Sequence, residues 1–284
     1  MNSLATINFI FEILPSIRQY HSRSSSVYQY LDSLLKPSVE DLYGAESNCK
    51  ADLIDIGCLH LPFYSMGAIN STHLFGLDEF LIFSFYRKNI NRYKAVADLG
   101  ANIGLHSILL SKLGFTVDSF EPDPEHLKRI ELNINLNGVA PNIIPAAVSI
   151  DDGQTEFTRV VGNTTGSHLS GSKEDPYGDL ERFSVPTRSF RSILSQHDFL
   201  KIDVEGHEAN IICSTSPQDW SSSDAILEVG SMINAERIFN HFANSGINLF
   251  AQSLSWEKVS SFEDMPSSYK DGSLFISSKD EMPW

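Results

Sequence analysis

From Leu77 onward apolar and polar positions follow the rhythm of alternating strands and helices, and before it they do not. Short runs rich in apolar residues at 96–99, 116–120, 142–147, 199–204 and 225–229 predict successive strands, because strands covered on both faces read as nearly continuous apolar segments. Between the first two, Ile103, Leu109, Leu110 and Leu113 make a helical stripe that stops at Gly114, a residue suited to the left-handed position after a helix. The next helix begins where Asp123 can cap it and Pro124 fits its first turn. It buries Leu127, Ile130 and Ile134 and ends at Asn137-Gly138. A helix over about 234–245 precedes two more strands, near 247–250 and 273–276. The pattern predicts an α/β fold, a doubly wound and mostly parallel sheet with helices on both faces.

The first 75 residues are read as a helical N-terminal extension, and 76–284 as the main domain. The apolar stretch 7–14 predicts a helix and not a signal peptide, since Glu12 interrupts it, no basic segment precedes it and no small-residue cleavage site follows. After a polar break at 22–26, residues 27–35 look helical, with Pro37 expected to end the helix. Phe9, Phe11, Tyr20, Tyr28, Tyr30, Phe63 and Tyr64 must be covered, most economically by packing on the main domain. Between 151 and 186 the rhythm is lost, and a Gly/Ser/Asp-rich insert at 162–178 separates short strand candidates at 155–161 and 183–186.

Charge narrows the partners. A net charge of −15 and a pI near 4.9, with no cluster of Lys or Arg, oppose a nucleic-acid substrate. The apolar run at 80–85 is far shorter than the roughly 20 residues of a bilayer span, so no membrane span is expected. Cys49, Cys58 and Cys213 form no CxxC pair and no disulfide framework, which predicts three reduced, mostly buried thiols in a cytoplasmic protein.

Chemistry concentrates at three places. The first strand runs into Asp98-Leu99-Gly100-Ala101-Asn102-Ile103-Gly104 and then a helix, a turn in which Gly100 allows close ligand approach and Gly104 close helix packing. The second strand ends in Phe120-Glu121-Pro122-Asp123, an acid 21 positions after Gly100, where doubly wound folds commonly hold ribose hydroxyls. GxGxxG is absent, and Asp98 would repel a pyrophosphate but welcome a cationic sulfonium, which favours S-adenosylmethionine over a nicotinamide cofactor. The third place is Lys201, Asp203 and Glu205, charges at period two near the carboxyl end of a strand that should be apolar. His106, His168 and His207 lie near this cleft as potential bases, and Asp203, Glu205 and Glu208 are hard oxygen donors that could suit magnesium, without a recognisable metal cluster.

Together VADLGANIGLHS, SFEPDP, the helix carrying Asn133, Asn135 and Asn137, IPAAVS and KIDVEGHE resemble the successive motifs of the FkbM family of methyltransferases, over about residues 77–227. The sequence departs from that family at Thr187-Arg188-Ser189-Phe190, where a Leu-Asp pair is frequent. The resemblance implies a Rossmann-like class I methyltransferase with a seven-stranded sheet whose last strand is antiparallel. It implies S-adenosylmethionine contacts at Asp98, Gly100, Asn102, Gly104 and Glu121, flanked by Ala101 and Pro122, with Asp203 and Glu205 facing the substrate beside Lys201. The expected acceptor is a hydroxyl on a sugar, glycan or other small metabolite. Two alternatives stay open: a nicotinamide-dependent oxidoreductase on a related sheet, and a cofactor-binding protein that has lost catalysis.

Overall fold

A computed structural model of the chain describes residues 2–66, 69–161, 167–169 and 179–284. The N-terminal segment holds helices α1 (Ser3–Ile13) and α2 (Ser26–Tyr43), then two small hairpins, β1 (Lys50–Leu53) with β2 (Gly57–His60) and β3 (Ser65–Met66) with β4 (Ile69–Asn70). It is thus only partly helical. Pro37 does not end α2. Facing solvent, it forgoes one hydrogen bond at a cost of about 3 kcal/mol, while Leu31, Leu35, Val39 and Tyr43 bury a continuous stripe across it.

The remainder runs α3 (Leu77–Lys88), β5 (Ala95–Leu99), α4 (Leu105–Lys112), β6 (Thr116–Phe120), α5 (Pro124–Asn137), β7 (Asn142–Ile144), β8 (Ala147–Ser149), β9 (Gly153–Val160), β10 (His168–Leu169) and β11 (Leu180–Ser189). It continues with α6 (Phe190–Leu194), β12 (Phe199–Ile202), α7 (Glu208–Ile212), β13 (Asp224–Glu228), α8 (Met232–Phe242), β14 (Asn248–Ala251), β15 (Glu257–Lys258) and β16 (Ser273–Ser277). The main sheet has the order β7-β6-β5-β12-β13-β16-β14-β15. Its first five strands are mutually parallel, and β16 inserts antiparallel between β13 and β14. The expected seven strands are present with the last one antiparallel, and short β15 extends the edge.

The single strand expected over 142–147 is two. Pro145 has no N–H to give a ladder, so the chain turns there. β8 then joins a second, four-stranded sheet of order β10-β9-β11-β8, which the loss of rhythm after residue 151 had concealed. The insert expected at 162–178 lies outside the described residues except for Ser167, His168 and Leu169, which reach back to β9.

Alternation along the central strands divides the core. Val96, Phe199, Ile226 and Phe275 pack with Ile7, Phe11, Leu35 and Tyr43 of the N-terminal segment and with α3. Their chain neighbours Ala97, Leu200, Ile202, Ala225 and Leu227 pack on the other face with Phe190, Ile211, Trp220 and Ile238. The N-terminal aromatics therefore share one core with the sheet, and residues of β5 and β12 that lie on that face look toward α3. Among the described residues no helix is long and apolar enough to cross a membrane. All three cysteines are free thiols; contrary to expectation only Cys49 is buried, and Cys58 is exposed in the β1–β2 hairpin.

Candidate active site

The glycine turn is a steric necessity. Gly100 has φ +79°, and a Cβ there would lie 1.8 Å from the Asp203 carbonyl oxygen. The turn after β5 and the turn after β12 thus touch through their backbones. Asn102 is also left-handed, at φ 52°. Gly104 faces helix α5 and not the cleft, since a Cβ there would press on the Ile130 side chain at 3.3 Å. Ala101 is buried beside a small cavity described below.

Glu121 ties this turn to the end of β6. Its Oε2 accepts from the Asn102 N–H at 2.9 Å and its Oε1 from the Asp123 N–H at 2.8 Å. The carboxylate is nearly buried, and the His126 ring nitrogen approaches Oε1 at 3.3 Å without the alignment of a hydrogen bond. Burial opposes a charge on His126, but Glu121 and then Asp123 outweigh it and hold the imidazole pKa above its ordinary value. Asp123 caps α5 through the Glu125 N–H and grips Arg159 of β9 with both oxygens, fastening the second sheet over the first.

Asp98 lies beneath the turn and not in it. It is fully buried; Oδ2 accepts from the Ser107 hydroxyl at 2.5 Å, and Oδ1 lies 3.8 Å from the Lys201 ammonium. Lys201, opposite Asp98 in the β12–β5 register, also donates to Asp203 Oδ2 at 3.2 Å and to the Gly100 carbonyl at 3.4 Å. Burial opposes its charge, yet Asp203 and Asp98 together raise its pKa, so the ammonium persists. β12 ends at Ile202, so the period-two placement of three charges on one face stops at Asp203. Glu205 sits in the following turn at φ 53° and borders the cleft from there. Glu208 holds that turn from inside: its Oε1 accepts from the N–H groups of Val204 and Gly206, both at 3.1 Å. Burial pushes its carboxyl up to about 7 despite these bonds. Among the described residues no group of three or more His, Cys, Asp or Glu could hold a metal ion, so Asp203, Glu205 and Glu208 form no such site.

Three cavities meet at Asp203. The largest in apolar character, about 580 Å³ with its open mouth, runs from Gly100, Asn102, Glu121, Pro122 and His126 along a wall of Phe120, Ala146, Val148, Phe157 and Leu169 to Asp203 and Glu205. A second, about 690 Å³, lies on the α3 side among Arg23, Asp78, Glu79, Lys201, Asp203 and Glu228. A small third, about 340 Å³, lies next to them between Leu74, Glu79, His106 and the turn 100–103. Of the three expected histidines, His168 lines the first cavity and His106 the third, hydrogen-bonded to the Tyr86 hydroxyl and 3.0 Å from Glu79. His207 lines neither; it is held by Asn210 at 3.0 Å. Sequence reasoning missed His126, Glu79 and Glu228. His126 was the most accessible, since the first turn of a helix that follows a strand faces the strand's carboxyl end.

An apolar slot closed by a doubly accepting carboxylate suits a purine nucleoside. The slot also presents polar atoms lacking a hydrogen-bond partner among the described residues, Asn102 Oδ1 and both nitrogens of His126. The parallel strands β7-β6-β5-β12-β13 with the antiparallel β16 inserted beside β13 are the sheet of a class I S-adenosylmethionine-dependent methyltransferase. The match of residues 98–267 to the methyltransferase FkbM domain is more specific, and the chain belongs to that family. No curated protein sequence matches it significantly. Among solved structures it is similar to the ribosomal protein L11 methylase of Lactobacillus delbrueckii subsp. bulgaricus (16% identity, 68% of this chain and 77% of that one, TM-score 0.36). It is also similar to precorrin-6y C5,15-methyltransferase of Geobacter metallireducens GS-15 (14%, 67% and 82%, 0.36) and to a Podospora anserina methyltransferase bound to S-adenosylhomocysteine (10%, 70% and 79%, 0.38). The assignment rests on the family match and the strand order.

Proposed function

We propose that the chain methylates a hydroxyl oxygen of a sugar, glycan or other small metabolite, with Asp203 at the point of transfer. The observation that carries this reading is the position of Asp203, which lines both the apolar cleft beside Glu121 and the second cavity. Bound in the cleft, S-adenosylmethionine supplies a methyl group on a sulfonium, already activated for in-line displacement by oxygen. Glu121, with Asn102 and His126 beside it, would hold the ribose, and the wall from Phe120 to Leu169 the purine. Pro122 and Glu205 border the same cleft, and Gly100 and Ala101 let the backbone come close.

The chain's own task is alignment and proton removal. Asp203 accepts the hydroxyl proton and directs the oxygen lone pair toward the cleft. Lys201 is a positioning residue: its ammonium, balanced between Asp98 and Asp203, fixes the Asp203 carboxylate. A nicotinamide-dependent oxidation is disfavoured by the family match and by the missing dinucleotide turn. The three free cysteines support a cytoplasmic setting.

Asp203→Asn tests the reading. Turnover measured as S-adenosylhomocysteine release on a panel of hydroxylated acceptors is expected to fall about 10²- to 10⁴-fold, with cofactor affinity little changed by calorimetry. Full turnover in the folded variant would refute the role of Asp203.

A further inference from the structure

The carboxyl end of β12 separates two spaces, and only one of them suits a nucleoside. The other lies between that strand end, β13 and the N-terminal segment with α3, and none of its walls belongs to the glycine turn or to Glu121. We infer that this second cavity is the acceptor subsite, and that Arg23, Asp78, Glu79 and Glu228 there select a neutral, polyhydroxylated molecule such as an unphosphorylated sugar ring. The inference rests on the methyltransferase reading above.

Geometry argues for the location. An acceptor must reach the methyl group from the side away from the leaving sulfur, and Asp203 is the residue common to the linings of the two spaces. Lys201 lines the second cavity as well, on the face of β12 that looks toward α3. The N-terminal segment is therefore part of the site and not only a cover for the sheet.

Charge argues for the class. Four carboxyl groups, those of Asp78, Glu79, Asp203 and Glu228, line it with two cations, Arg23 and Lys201, and the imidazole of His73. Both cations already have carboxylate partners: Arg23 pairs with Asp78 at 2.5 Å while its Nε has no hydrogen-bond partner among the described residues, and Lys201 lies between Asp203 and Asp98. Among the described residues Glu228 has no cation at ion-pair distance. A phosphate or carboxylate on the acceptor would meet this acidic excess, with Arg23 and Lys201 each already facing a carboxylate. A hydroxyl, by contrast, both donates to a carboxylate and accepts from Arg23 or Lys201, and adjacent ring hydroxyls match such mixed walls. Burial first, then Asp203, Glu79 and Glu205, raise the pKa of Glu228, which favours its neutral form and gives the wall an additional donor.

The test is ligand-observed NMR titration of protein saturated with S-adenosylhomocysteine. The probes are methyl glycosides of glucose, galactose, mannose and rhamnose, and the 6-phosphates and uronates of the hexoses. At least one neutral glycoside is expected to bind, with its anionic counterparts at least tenfold weaker. Glu228→Ala should weaken the neutral ligand at least tenfold while S-adenosylhomocysteine affinity stays within twofold. Should Glu228→Ala fail to fold, Glu79→Gln reads the same wall, with the same expected loss. Equal or tighter binding of an anionic probe, no binding of any neutral glycoside, or unchanged affinity in the folded variants would overturn the inference. Loss of S-adenosylhomocysteine binding by the unaltered protein would instead strike the methyltransferase reading.

Discussion

Replacing Glu121 with Gln keeps the shape of the side chain but removes its charge and one of its two accepting ends. Oε1 and Oε2 receive different backbone donors, Asp123 N–H at 2.8 Å and Asn102 N–H at 2.9 Å, so the amide nitrogen must face one of them. A hydrogen bond to a charged acceptor is lost, and a nearly buried donor is left opposite another donor. Together these cost about 2–4 kcal/mol. At about 2–4 °C per kcal/mol for a chain of this size, melting should fall by roughly 5–15 °C. The deficit should depend on pH through His126. Because Glu121 raises the folded-state pKa of that imidazole, the stabilisation is complete below the unfolded value of about 6.5 and disappears as pH rises through the higher folded value. Glu121→Gln removes most of it, so the gap from the parent protein should be wider at pH 5.5 than at pH 8.5. Affinity for S-adenosylhomocysteine, read by calorimetry, should drop about tenfold to a hundredfold from lost ribose bonds. Parental melting and affinity, or a gap independent of pH, would refute the double role assigned to Glu121.

Other substitutions probe the rest of the site. Gly100→Ala, with its Cβ 1.8 Å from the Asp203 carbonyl at a positive φ, should destabilise by at least about 3 kcal/mol in urea unfolding, and parental stability would refute the backbone contact. Lys201→Met leaves buried Asp98 without its cation and should cost about 3–5 kcal/mol; adding Asp98→Asn should recover part of that, and strict additivity in the double-mutant cycle would disprove the coupling. For Glu208 the raised pKa means the folded protein favours the neutral acid, so stability should fall by about 3 kcal/mol as pH rises from 4.5 to about 7. Glu208→Gln keeps the accepting oxygen for Val204 and Gly206 and should flatten that dependence; an unchanged pH profile would show that another group titrates.

Local signals were enough for the frame of this protein. The strands, the caps at Asp123 and Gly114, and the turn at Gly100 depend on neighbours within a few positions, and so does the acid that ends β6; these are the features that carry the resemblance to the family. The same rules misjudged Pro37 and residues 142–147. In α2, burial of a stripe against distant parts of the chain outweighed a missing hydrogen bond. At Pro145, a proline that looked like part of a strand instead sent the chain into a second sheet. Period two also carried Glu205 too far, because a strand ends where its partners end and no side-chain pattern marks that point.

The sequence by itself determined the order of the elements, the glycine turn and the placing of charge at strand ends, since each follows from backbone sterics or from residues adjacent in the chain. Tertiary structure alone decided what those charges face. Glu228 and Lys201 are 27 positions apart, and Arg23 lies far from both, yet a parallel sheet and a packed N-terminal segment set them around one cavity. Asp98 became a buried counterion for Lys201 because the β5–β12 register places them side by side, and that register is a long-range outcome of packing.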